Sequence, residues 1–220
     1  MKDLNQYLME FDYEKNFKYQ DFFVSKSNEH VFNILENWPK WEKNFLNING
    51  EKFSGKSHLV NIFSKKFKSI KFQANKLNDE HLKEVKIYQN IILEDLDDNI
   101  DEKLLYSLIN IVEQENKYLI ITSLEPIVSI NFKLNDLKSR TKNFLLQSIE
   151  KPDDELMFAL ILKNLADRQI SLDKKLINYI IKRIDRSYSK IINFIYKIDE
   201  MSLKKKKSID FKIIKEVLGE

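Results

Sequence analysis

The sequence predicts a two-part α/β protein: a parallel five-stranded sheet flanked by helices, followed by an all-helical segment. Three observations predict it. Two of the three glycines fall in one window, Gly50-Glu51-Lys52-Phe53-Ser54-Gly55-Lys56-Ser57, which fits the phosphate-loop pattern G-x-x-x-x-G-K-[ST]. Short apolar runs alternate with helix-period segments as far as residue 151, the signature of βαβ units with right-handed crossovers. Beyond Pro152 every periodic segment is helical.

Composition sets the bounds. An apolar fraction of 43% can fill a core and a charged fraction of 32% suits a soluble surface, while 37 basic and 34 acidic residues leave only +3. That balance gives no strong polyanion-binding signal. With no cysteine, disulfides and thiolate metal sites are excluded. His30, His58 and His81 are far apart and lack ligand spacing. No run reaches the roughly 18 apolar residues of a membrane span, and the start is not that of a signal peptide. A cytoplasmic protein with no membrane contact is expected.

The elements follow in order. Residues 1–18 lack periodicity and are expected to form a flexible arm. Ser27 is expected to cap a helix through His30, Val31, Ile34 and Leu35, ending near Trp38-Pro39. Asn44 to Asn49 alternates as a strand into the glycine window, and a helix from Lys56 carries Leu59, Val60 and Phe63. Ser69 to Ala74 and Tyr88 to Leu93 read as strands, the second apolar enough to be buried on both faces. Asp101 opens a helix with Leu104, Leu105, Leu108, Ile109 and Val112. Lys117 to Ser123 and Phe144 to Ile149 complete the sheet. Helices are expected over Asp153 to Arg168, Leu172 to Arg183, Tyr188 to Met201 and Phe211 to Leu218. The implied division is 1–18 arm, 19–151 α/β core, 152–220 helical lid. Lys204 to Lys207 reads as a solvated loop.

The chemistry concentrates on strand ends. In a phosphate loop the backbone N–H groups cradle phosphates, the lysine reaches the β/γ-phosphates and the hydroxyl ligates Mg²⁺. Gly50, Ser54, Gly55, Lys56 and Ser57 are therefore candidate nucleotide ligands, for ADP or ATP. Glu94 and Asp95, at the end of an apolar strand, have the form of a Walker B pair that holds Mg²⁺ and orients water. Ser57 and Glu94 are the candidate Mg²⁺ ligands. Thr122 ends the next strand where a small hydroxyl can sense phosphate. Arg140, before the last strand, can stabilise transferring phosphate in cis or in trans.

The order of these parts resembles the AAA+ ATPases, and within them the DnaA family. Tyr19 to Asn28 resembles the segment ahead of the nucleotide site, and Gly55-Lys56-Ser57-His58-Leu59 the family's Gly-Lys-Ser/Thr-His-Leu. Thr122-Ser123-Leu124-Glu125-Pro126 is similar to the sensor 1 region, and Leu134 to Arg140 to box VII. The likeness runs over about residues 17 to 218. It implies that Arg140 is an arginine finger, that His58 belongs to the nucleotide site, and that Lys190 stands at the sensor 2 arginine. Gln6-Tyr7-Leu8-Met9-Glu10-Phe11 resembles a clamp-binding hexapeptide with Gln6, Leu8 and Phe11 as anchors, able to dock in an apolar groove. With no helix-turn-helix domain expected after the lid, the pattern is similar to the Hda branch of the family. That resemblance implies a regulator of chromosomal replication initiation. It would bind the DNA polymerase III sliding clamp and promote hydrolysis of DnaA-bound ATP in trans. It would sit at the nucleoid through the clamp, with a homo-oligomer as a further option, and contact no specific DNA sequence.

The departures matter. Phe53 stands where family loops have glycine, Ser25 replaces another glycine, Glu94 replaces an aspartate and Lys190 an arginine. Weak or absent intrinsic ATP turnover is expected. Two other readings stay open: a self-sufficient DnaA-like or helicase-loader ATPase, and a nucleotide-independent AAA+ interaction module.

Overall fold

The computed structural model describes residues 22–205 and 208–220. The arm and its anchors Gln6, Leu8 and Phe11 lie outside the described residues. The chain order is α1 (Glu29–Glu36), β1 (Phe45–Asn49), α2 (Lys56–Lys66), β2 (Ser69–Gln73), α3 (Asp79–Val85), β3 (Asn90–Leu96), α4 (Glu102–Gln114), β4 (Tyr118–Ser123), α5 (Asn135–Thr141), β5 (Leu145–Ser148), α6 (Asp154–Ala166), α7 (Lys174–Ile181), α8 (Tyr188–Lys205) and α9 (Phe211–Leu218).

The five strands form one parallel sheet in the order β2-β3-β4-β1-β5. Strand β1 lies between β4 and β5, and all five of its residues are buried, as in a strand covered on both faces. Its side chains divide by the pleat. Leu46 and Ile48 join Val31, Leu35, Leu59, Val60 and Phe63 under α1 and α2. Phe45 joins Leu105, Leu108, Leu137 and Phe144 under α4 and α5. The loop after β1 thus opens beside β4, where the strand order reverses, the place where open α/β sheets bind ligands.

Three expectations need correction. Ser27 does not cap α1: that helix starts at Asn28, which makes no side-chain cap bond. The Ser27 hydroxyl instead donates to Asp153 Oδ2 and accepts from Asp153 N–H, both at 3.0 Å, joining the α1 loop to the first lid helix. Strand β3 extends to Leu96, so Glu94 and Asp95 lie within it, at an irregularity in the β3–β4 register between Leu93 and Leu96. Helices α3 and α5, too short to show a full apolar period, complete the layer on the α4 face.

The lid has its own core. Met157, Ile161, Leu165, Ile177, Ile180, Ile191, Phe194, Ile195, Ile198 and Ile214 pack together. Aspartates at 153, 173 and 210 accept from N–H groups of the first turns of α6, α7 and α9, satisfying donors that a helix start leaves open. Leu156 and Tyr188 leave this core and join the cluster under α1 and α2.

Candidate functional site

The glycine window folds as a tight loop between β1 and α2. Gly55 caps α2 in the left-handed region, φ 96, and makes no side-chain cap bond, so the first-turn N–H groups of an eleven-residue helix face outward without a helical acceptor. A Cβ on Gly50 would lie 3.0 Å from Ser54 Oγ and 3.2 Å from Ile149 Cβ, so a larger residue there would have to displace its neighbours. Phe53 adopts φ 68, the conformation glycine takes without strain. Its ring is 42% exposed.

Lys56 is buried and bends back on its own loop. Its ammonium donates to Gly50 O at 2.7 Å and Glu51 O at 3.0 Å. Burial lowers its pKa below the usual lysine range, against the opposing pull of the Asp95 and Glu51 carboxylates. Ser54 Oγ is buried with no partner among the described residues. A helix N-terminus with open N–H groups, a convertible ammonium and an orphaned hydroxyl suit a phosphate. His58 lies beside this loop with its ring edge-on to Phe22, centroids 5.2 Å apart, and Phe22 Cε2 lies 3.1 Å from where a Gly55 Cβ would be.

The acids divide their tasks. Asp95, at φ 57, donates its N–H to the buried Thr122 Oγ1 at 2.9 Å, tying the two strand ends together. Glu94 is 2% exposed, and its Oε2 is paired with Lys71 Nζ at 3.2 Å. The metal half of the expected site therefore does not fit: the acid expected to serve a cation with Ser57 already faces an ammonium.

The lid closes on the loop through a contact the sequence reading missed. Glu51 accepts from Ser187 Oγ at 2.5 Å, Tyr188 N–H at 3.0 Å and Ser189 N–H at 3.1 Å, so a loop carboxylate caps α8. Burial raises the Glu51 pKa, but these donors outweigh it and hold it below the ordinary glutamate value. Ser189 Oγ also donates to Lys52 O at 3.4 Å. Lys190 is exposed, and its N–H bonds Ser187 Oγ at 3.2 Å. The lid residues that meet the loop are thus Ser187, Tyr188 and Ser189. Ser187 ahead of an apolar helical run was a readable cap signal; nothing in the phosphate-loop pattern constrains residue 51.

Arg140 lies elsewhere. On the last turn of α5, it pairs with Glu113 of α4 and stacks near Tyr106, 5.8 Å from the ring centroid. Both partners are on α4, which packs on the sheet face opposite α2.

Comparison with known proteins agrees with the fold. Residues 153–218 match the family defined as Hda, lid domain. The chromosomal replication initiator protein DnaA of Borrelia turicatae is 25% identical over 239 aligned residues, covering 94% of this chain and 49% of that protein. Domain III of Thermotoga maritima DnaA superposes with a TM-score of 0.74 at 16% identity, over 93% of this chain and 96% of that one. The chain resembles the Hda/DnaA family in the sequence of its lid and in its fold. A DnaA structure from Aquifex aeolicus with AMPPCP bound shares the fold, with a TM-score of 0.66 at 18% identity over 84% of this chain and 64% of that one. The chain spans about half the length of the curated DnaA relatives it matches.

Proposed function

We propose that this chain regulates chromosomal replication initiation by presenting Arg140 to ATP held by another AAA+ subunit, with DnaA as the partner. The observation that carries the reading is the position of Arg140. It sits on the α4 face, while the chain's own phosphate loop leads into α2 on the other. That placement apart from the chain's own loop supports service to a phosphate across a subunit boundary, where an arginine finger is worth on the order of 10³–10⁵ in rate.

The chain's own loop binds ADP or ATP. Gly50, Ser54, Gly55, Lys56 and Ser57 hold phosphate, with Thr122 and His58 at the margins and Lys190 on the lid helix. A bound nucleotide would supply the negative charge that α2's N-terminus and Lys56 meet. Lys56 then exchanges the Gly50 and Glu51 carbonyls for phosphate oxygens. The strained Phe53 and the engaged Glu94 support weak intrinsic turnover by the pair Glu94 and Asp95. The sliding clamp is the second partner, engaged through Gln6, Leu8 and Phe11. That tether would keep a cytoplasmic protein at the nucleoid; no helix among the described residues is long and apolar enough to cross a membrane.

The test is hydrolysis of DnaA-bound ATP in the presence of DNA-loaded clamp. Wild type is expected to stimulate it, while Arg140→Ala and deletion of residues 1–12 each lose stimulation and only the deletion loses clamp binding. Absence of stimulation by wild type overturns the reading. Retained stimulation by Arg140→Ala overturns the finger.

A further inference from the structure

We propose that the Lys71 ammonium takes the place of a divalent cation beside Glu94, so that this chain binds a nucleoside di- or triphosphate without Mg²⁺. The inference rests on the nucleotide reading above and concerns the same site.

Ile92 belongs to the core under α2, and Glu94, two residues further along β3, shares its face by the pleat. The carboxylate therefore points to the side of the sheet that carries the phosphate loop. Lys71 comes from the neighbouring strand, opposite Ile92 in the β2–β3 register. Its Nζ lies 3.2 Å from Glu94 Oε2 and donates to Asn61 Oδ1 at 2.7 Å. Asn61 Nδ2 in turn donates to Ser57 O at 2.6 Å. This chain of contacts holds a positive charge between the acid and α2, one helical turn beyond Ser57, the other expected metal ligand.

An exposed lysine pair would carry little weight. This one differs because the Glu94 side chain is only 3% exposed, and a buried carboxylate must be compensated. Glu94 Oε1 is buried without a partner among the described residues, so the Lys71 pair is the compensation given to this acid there. A divalent ion entering the same site meets a carboxylate already neutralised, and meets like charge at a few ångströms in a poorly screened setting. The Lys71 stem is long enough to place its head there while its methylenes pack along the strand.

The experiment is equilibrium binding of radiolabelled ADP to wild type and Lys71→Met, each in excess Mg²⁺ and in excess EDTA, with circular dichroism to verify folding. Wild-type affinities in the two conditions are expected to agree within about threefold, and Lys71→Met to require Mg²⁺ by about tenfold or more. A wild-type loss of about tenfold in EDTA overturns the proposal; this arm stands even if the variant does not fold. A folded Lys71→Met that stays indifferent to Mg²⁺ overturns the assignment to Lys71. Binding in neither condition overturns the nucleotide reading itself, and this inference with it.

Discussion

At the scale of single residues, the most informative position is Phe53. A non-glycine side chain in the left-handed region costs on the order of 1–3 kcal/mol and persists where surrounding structure over-determines it. Here the loop is pinned on both sides, by Gly50 packed against Ser54 and Ile149 and by Gly55 starting α2. Phe53→Gly relieves the strain but adds freedom to the unfolded chain, so a net stabilisation of about 0.5–1 kcal/mol is expected in chemical denaturation. Lys56→Ala is expected to abolish ADP binding in a titration without loss of fold, because its ammonium bonds two loop carbonyls but belongs to no core cluster. The loop itself was legible, since its pattern encodes backbone requirements at fixed spacing. The partners of Glu94 and Glu51 were not, because Lys71 and the 187–189 turn come from sequence positions 23 and 136 or more residues away, distances that no local pattern spans.

At the scale of elements, helix starts explain much of the architecture. Helix α8 takes its cap from Glu51, and α6 takes its cap from Asp153, whose carboxylate also accepts from Ser27. Burial raises the Asp153 pKa, but the Leu156 N–H and the serine bonds outweigh it and leave it lowered. Glu51 is lowered by the same balance. A carboxylate whose folded pKa is depressed contributes stability fully above its unfolded pKa and loses it as pH falls through the folded value. Unfolding followed from neutral pH downward should therefore show a loss that begins in the ordinary carboxylate range and continues below it. Glu51→Gln is expected to cost about 1 kcal/mol at neutral pH and to flatten part of that acid slope. The seven longer helices and the five strands could be read from periodicity and cap residues, because amphipathic helices and doubly buried strands repeat over enough residues to show their period. The short α3 and α5 could not, and the β3 end was missed because its register irregularity answers to β4 rather than to its own side chains.

At the scale of the whole molecule, the sheet separates two tasks. The phosphate loop leads into the α2 face and Arg140 sits on the α4 face, the division that the proposed service to another subunit's ligand calls for. The lid, although it has a core of its own, is rooted in the first of these faces. Tyr188 is 2% exposed among α1, α2 and β1 residues, and its hydroxyl donates to Glu150 O at 2.9 Å; burial pushes its pKa far above the tyrosine range, with the Asp153 and Glu51 charges adding to it. Tyr188→Ala is expected to cost about 3–5 kcal/mol. Both tryptophans, Trp38 and Trp41, pack on Phe63 of the core, so their fluorescence reports the core while far-UV circular dichroism adds the lid helices. The two transitions are expected to coincide in wild type.

That rooted tyrosine also decides how the molecule comes apart. Amide protons at the foot of α8 should exchange with deuterium no faster than those of β1, since releasing them requires pulling Tyr188 from beneath the sheet. A lid severed from the core would present Leu156 and Tyr188 to water and leave the first turn of α8 without Glu51. The two parts are therefore expected to unfold as halves of one cooperative unit, with any motion between them pivoting on α8 rather than detaching it.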